Sequence, residues 1–252
     1  MKIGLPENHG LSSSLASGPL LRRNADGKIE LTDVQFEALQ FGVAKGKSVL
    51  AIAPTSSGKT DIGLIAASSW FDNGINEGRK VVYLTSHRAL ARQKFFEFQE
   101  RLGPLFSLAK SEMVLATGDD VVDANGDAVP DAFSVPVVVA TYEKYLNMLA
   151  GSGFRGGTDK ICCIADELQL ISDGTRGQQV EILMTLLRED TGQIVALSAV
   201  MEEKDGRLLA SWLKASLIRT TRREVPLIYE LRTPTQTLTT STDRESAPTI
   251  VS

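Results

Sequence analysis

An α/β fold, with a mostly parallel sheet covered by helices on both faces, is predicted by three features of the chain. Six short apolar runs rich in β-branched residues recur between positions 48 and 197. Stretches with apolar residues at helical spacing separate most of them. The runs are close to continuously apolar rather than alternating, which is the pattern of strands buried on two faces. Such strands, alternating with helices, form parallel sheets, and their ligands bind beyond the carboxyl ends of the strands.

Residues 1–28 carry Ser, Gly and Leu without a sustained period, which fits a loose arm or a short strand, and no function is assigned to them. Thr32 or Asp33 reads as a helix cap before Val34-Gln35-Phe36-Glu37-Ala38-Leu39-Gln40. The first strand is Ser48-Val49-Leu50-Ala51-Ile52, and Ile62, Leu64 and Ile65 begin a helix that runs towards Trp70 and Phe71. Strands at 80–84, 113–116, 135–140, 161–165 and 194–197 follow. Helices are expected at 86–101, 142–149 and 179–187, an acidic loop at 117–127 and a turn at 151–157. From Thr233 the chain is rich in Thr, Ser and Pro, as in a linker or tail.

Between the first strand and its helix lies Ala53-Pro54-Thr55-Ser56-Ser57-Gly58-Lys59-Thr60. A small-residue loop ending in Gly-Lys-Thr at a helix start is the context of phosphate binding. Loop amides and the positive end of the helix dipole converge on phosphate oxygens there. Lys59 supplies a mobile charge for the outer phosphates of a nucleotide such as ATP, and the Thr60 hydroxyl is a hard ligand for Mg²⁺. Asp166-Glu167 stands just past an apolar strand. There one carboxylate can hold Mg²⁺ through water while its neighbour orients and deprotonates an attacking water.

Composition narrows the class. Hydrophobic residues make up 42% and charged residues 23% of the 252, as in a globular domain with or without extensions. A net charge of -4 argues against wholesale electrostatic attraction to nucleic acid and leaves room for a local basic groove. No apolar run approaches a membrane span, and no signal-peptide core follows Met1. Cys162 and Cys163, adjacent in one strand, point to opposite faces. They read as reduced core residues, which suits a cytoplasmic chain, or a nuclear one in a eukaryote. His9 and His87 are the only histidines, and no metal-ligating cluster surrounds them.

Taken together, these motifs resemble the N-terminal RecA-like domain of superfamily 2 nucleic-acid helicases. The branch is that of the DExH-box helicases of DNA repair and RNA processing. The resemblance spans about 31–231. Its marks are Gln35, at the place of an adenine-sensing glutamine; 53–60 as motif I, where alanine for the first glycine is usual; and Ser86-His87-Arg88-Ala89-Leu90-Ala91. Further along come Thr117-Gly118-Asp119, Thr141-Tyr142-Glu143-Lys144, Asp166-Glu167-Leu168-Gln169 and Ser198-Ala199-Val200. Leu213 to Leu231, with Pro226-Leu227, resembles the exit from the domain.

The resemblance implies a P-loop NTPase domain that binds ATP and Mg²⁺. Gln35, Pro54, Thr55, Ser56, Ser57, Gly58, Lys59 and Thr60 would hold the nucleotide, Thr60 and Asp166 the metal. Lys59 and Glu167 would act in hydrolysis. It further implies contacts to single-stranded DNA or RNA from Ser86, Arg88, Thr117, Gly118, Thr141 and Lys144, and coupling through Gln169, Ser198 and Val200. Gln169 replaces a histidine or aspartate, Val200 replaces a threonine that links nucleotide state to strand separation, and no Phe, Tyr or Trp precedes Phe36 in this chain.

The domain is expected at 29–232, after an extension at 1–28 and before the tail at 233–252. ATP in this superfamily sits between two RecA-like domains, and the second is expected to lie in a longer parent chain or in another chain. An ATP-driven motor is the leading expectation. A module that binds nucleotide or nucleic acid without turnover is the alternative.

Overall fold

The computed structural model describes residues 1–152, 160–221, 228–232, 237–241 and 249–251. In chain order, β1 (Lys2–Ile3), α1 (Ser13–Ser17), β2 (Glu30–Leu31) and α2 (Asp33–Gln40) lead to β3 (Val49–Ile52) and α3 (Lys59–Asp72). Then come β4 (Lys80–Thr85), α4 (Arg88–Phe106), β5 (Met113–Thr117), β6 (Asp120–Asp123), β7 (Val137–Thr141) and α5 (Tyr142–Ser152). The domain continues through β8 (Ile161–Ala165), α6 (Gly177–Asp190), β9 (Gln193–Ser198), α7 (Glu203–Trp212) and β10 (Ser216–Arg219).

Among the described residues, eight strands form one sheet in the order β10-β3-β9-β8-β4-β7-β5-β6. Every neighbouring pair is parallel except β5 with β6. The six strands expected from the apolar runs are all present. Every residue of β3, β7, β8 and β9 is buried. Each fully buried Val, Leu or Ile contributes about 1.5–3 kcal/mol relative to exposure, so the apolar runs are what hold the sheet between its two helical layers.

Alternate residues of each strand serve opposite faces. Val81, Tyr83, Cys162, Ile164, Val195 and Leu197 pack in one core with residues of α2, α3 and α4. Val82, Leu84, Cys163, Ala165, Ile194 and Ala196 pack in the other with residues of α5, α6 and α7. Cys162 and Cys163 are free thiols, one in each core, as their adjacency predicted. Burial pushes the Cys163 thiol up to about 12.

Some elements differ from the sequence reading. The acidic loop contains β6, an antiparallel edge strand, and β10 is a second edge strand beside β3. Residues 1–28 are partly ordered onto the domain: β1 pairs with β2, and Leu11, Leu15, Leu20 and Leu21 are buried in the first core. Gly151 belongs to α5, whereas 153–157 of the expected turn and Pro226-Leu227 lie outside the described residues. Within the last part of the chain, β11 (Ile228–Arg232), β12 (Thr237–Ser241) and β13 (Thr249–Val251) form an antiparallel sheet, so the stretch read as a linker or tail contains two strands.

Candidate nucleotide and nucleic-acid sites

The loop after β3 leaves the sheet at its carboxyl edge, where the Ala53 amide donates to the Ser198 carbonyl at 3.1 Å. Its turn is made by left-handed backbone at Ser56 (φ 63°) and Gly58 (φ 83°). A Cβ at Gly58 would stand 2.3 Å from Gln35 Nε2, so only glycine admits both this conformation and that contact. α3 starts at Lys59, whose ammonium folds back to donate to the carbonyls of Ala53 (2.6 Å) and Pro54 (2.8 Å). Ser57 Oγ is buried with no hydrogen-bond partner among the described residues. A buried orphan hydroxyl, a glycine-gated turn and a lysine at a helix N-terminus together suit a phosphate-bearing ligand.

Gln35 is not a solvated helix residue. It is buried, and it closes a capping box with Thr32: Thr32 Oγ1 accepts from the Gln35 amide, and Gln35 Oε1 accepts from the Thr32 amide at 2.9 Å. Its Nε2 donates to the Gly58 carbonyl (3.1 Å) and to Asp61 Oδ2 (3.0 Å). Arg101 of α4 pairs with Asp61 at 2.6 Å and donates to the Leu20 carbonyl at 3.0 Å. These bonds join α2, α3, α4 and the N-terminal segment around a cleft of about 660 Å³, whose lining includes Leu20, Arg22, Gln35, Ser56, Gly58 and Arg101. Leu20 and Arg101 had no motif to announce them.

At the end of β8, Asp166 is buried and doubly held. Its Oδ1 accepts from the Glu167 amide at 2.9 Å, and its Oδ2 accepts from the Tyr83 hydroxyl at 2.5 Å. The Tyr142 hydroxyl donates to the Asp166 carbonyl at 2.8 Å. Burial first, then the Asp166 charge, pushes both phenols well above their ordinary range, so each stays a donor. Glu167 adopts a left-handed backbone (φ 58°). The Gln169 amide donates to the Glu167 carboxylate, while Gln169 Oε1 accepts from Ser198 Oγ (3.0 Å) and the Ala199 amide (3.2 Å). Gln169 therefore bridges the ends of β8 and β9. Val200 is 77% exposed, and its carbonyl accepts from Ser198 Oγ at 3.4 Å. Thr60 Oγ1 accepts from Lys94 of α4 at 2.9 Å, and Lys94 also pairs with Glu97 at 2.9 Å.

Farther along the same edge, Ser86, Arg88, Gly118, Thr141 and Lys144 line one cleft of about 450 Å³, together with His87, Asn147 and Arg176. Thr117, the last residue of β5, precedes Gly118 and does not line it. Gly118 has φ 55°, and a Cβ there would lie 2.6 Å from Arg88 Cζ, so its bareness lets the guanidinium lie close over the turn. Thr141 Oγ1 accepts from the Lys144 amide at 3.4 Å, capping α5. Arg176 ties the walls together: it pairs with Glu143 at 2.7 Å and donates to the Ser86 carbonyl. No motif in the sequence pointed to Arg176.

A parallel sheet carrying this strand–loop–helix and an acidic pair at the same carboxyl edge defines a RecA-like P-loop NTPase domain. The model of the DEAD/DEAH box helicase family matches residues 32–207, and the chain belongs to that family. It is 36% identical over 200 residues to the ATP-dependent DNA helicase Hel308 of Pyrococcus abyssi, which covers 79% of this chain and 25% of that protein. The like-named protein of Pyrococcus horikoshii is 35% identical over 204 residues, covering 80% and 26% respectively. That of Methanocaldococcus jannaschii is 33% identical over 204 residues, covering 80% and 16%. The chain thus spans about a quarter, or less, of the length of these relatives. Among the described residues no helix is long and apolar enough to cross a membrane.

Proposed function

We propose that this chain is the ATP-binding motor domain of an ATP-dependent DNA helicase or translocase. A second RecA-like domain, in cis or in trans, completes the site. The observation that carries this reading is the Gln169 bridge, because it connects Glu167, the acid expected to act on water, to Ser198 on the strand beside the phosphate loop. In this reading the loop amides and Lys59 bind the outer phosphates, and Gln35, at the wall of the larger cleft, reads the base. Glu167 accepts the proton of the attacking water. The Thr60 hydroxyl and the Asp166 carboxylate would hold Mg²⁺, which would supply charge neutralisation at the phosphates. The hard oxygens of these two side chains fit that ion.

The smaller cleft takes the backbone of single-stranded DNA, with Ser86, Arg88, Gly118, Thr141 and Lys144 as contacts and Thr117 behind them. DNA is favoured over RNA by the names of the relatives. Titration of the chain with a non-hydrolysable ATP analogue, followed by ATPase measurement with a second RecA-like domain joined and single-stranded DNA added, tests the reading. Binding without turnover in the joined protein would leave a nucleotide-holding module instead.

A further inference from the structure

The motif pattern assigns a role to Asp166 but is silent on what fixes its side chain. Tyr83 does so. In the sheet Tyr83 is paired with Ile164, two residues before Asp166 on the neighbouring strand. Residues two apart share a face, so Asp166 is the diagonal neighbour of Tyr83, a separation that a tyrosine spans. The ring is fully buried and packs edge-on against Phe98 of α4, with centroids 5.0 Å apart at 69°. It has no room to swing away. Its hydroxyl meets Asp166 Oδ2 while the Glu167 amide meets Oδ1, so each carboxylate oxygen holds one donor. The same strand–helix unit supplies Lys94 to Thr60, the other side chain assigned to the metal.

We propose that Tyr83 is a positioning residue for Asp166, locking its carboxylate in the one orientation that serves the Mg²⁺ of a bound nucleotide. The inference rests on the functional reading above. With one lone pair on each oxygen occupied from within the protein, rotation of the carboxylate breaks at least one of two charge-assisted bonds. The lone pairs that remain then face outward in a fixed direction. Partners of this kind behind a metal-directed carboxylate commonly change metal affinity about tenfold or more when removed. Tyr142 provides the contrast, because its hydroxyl binds the Asp166 backbone carbonyl and leaves the carboxylate alone.

The test is the Mg²⁺ dependence of nucleotide binding by the 252-residue chain, read with a fluorescent, non-hydrolysable ATP analogue in the unsubstituted, Tyr83→Phe and Tyr142→Phe proteins. Tyr83→Phe should raise the Mg²⁺ concentration at half-maximal binding by about tenfold. Binding of the analogue in excess EDTA should stay unchanged. Tyr142→Phe should lower thermal stability while leaving the Mg²⁺ midpoint within about twofold. An unshifted midpoint in Tyr83→Phe, or an equal shift in both variants, overturns the positioning role and leaves the nucleotide site standing. A chain that shows no Mg²⁺-dependent binding overturns the functional reading and this inference with it.

Discussion

Gln169 and Ser198 are joined by a 3.0 Å hydrogen bond from the serine hydroxyl to the glutamine carbonyl oxygen, across the carboxyl ends of two adjacent parallel strands. The other end of the same side chain donates to Glu167. One amide thus holds the proposed general base against the strand that also meets the phosphate loop through Ala53.

Removing that bridge frees the Glu167 carboxylate to rotate. Gln169→Ala should lower ATP turnover of the two-domain protein by about tenfold, the worth of one or two hydrogen bonds at roughly 0.5–1.5 kcal/mol each. Nucleotide affinity should change less than about twofold. Steady-state ATPase rates beside equilibrium titrations check this, and a variant with parental turnover would show the bridge to be ornamental.

Lys59→Ala should weaken Mg²⁺-nucleotide binding by about ten- to a hundredfold, since charge-assisted bonds to a phosphate are worth about 1.5–3 kcal/mol. The ammonium also holds two loop carbonyls, at 2.6 and 2.8 Å, so a modest fall in melting temperature should accompany the loss. Calorimetric titration with thermal melts separates the two effects. Glu167→Gln, by contrast, should bind nucleotide almost normally and hydrolyse it at least a hundredfold more slowly, since general base catalysis contributes roughly 10²–10⁴-fold.

The cleft around Arg88 carries few cations, and Arg176 is already paired with Glu143. Binding of single-stranded DNA should therefore be weak, with a log–log salt slope near −1.4 if Arg88 and Lys144 each neutralise one phosphate at roughly 0.7 per contact. Arg88→Ala should lower the slope by about 0.7 and leave nucleotide affinity unchanged. Gly118→Ala should weaken DNA binding too, because its Cβ would sit 2.6 Å from the Arg88 guanidinium. Anisotropy titrations over a salt series measure both. A steep slope that Arg88→Ala leaves intact would place the DNA elsewhere.

Central strands were readable because burial on both faces demands continuous apolar runs, as in Ile161-Cys162-Cys163-Ile164-Ala165. Edge strands lack that demand. β6 is Asp120-Val121-Val122-Asp123 with its first residue exposed, and its acidic ends read as loop. In β10 only Ile218 is buried, so its run looks ordinary. The N-terminal leucines bury one by one, without a period to betray them. Loop chemistry at 53–60 and 166–167 was legible because it is local in the chain. The bonds of Tyr83 to Asp166, Lys94 to Thr60 and Arg101 to Asp61 are not, since in each pair the partners lie tens of residues apart. One signal was present: a tyrosine inside an otherwise aliphatic core strand needs a partner for its hydroxyl.

Ser198 and Val200 should respond very differently to substitution, because one is fully buried and the other is 77% exposed. Ser198 Oγ joins Gln169 and the Val200 carbonyl, so Ser198→Ala removes a donor from a buried network and should cost about 1–2 kcal/mol of stability. Val200→Thr trades one β-branched side chain for another of like shape at the surface, where changes are usually within about 0.5 kcal/mol. The isolated chain should therefore not register it in melting temperature or nucleotide affinity. At so exposed a position a hydroxyl at 200 is open to a partner such as the second domain or the DNA. In the two-domain protein, Val200→Thr should then raise the ratio of strand separation to ATP hydrolysed by roughly two- to tenfold, the worth of one hydrogen bond. Thermal melts of the chain, and paired ATPase and unwinding assays of the two-domain protein, are the measurements. A destabilised isolated chain, or an unchanged ratio in the two-domain protein, would remove position 200 from the coupling path and leave Gln169 and Ser198 to carry it.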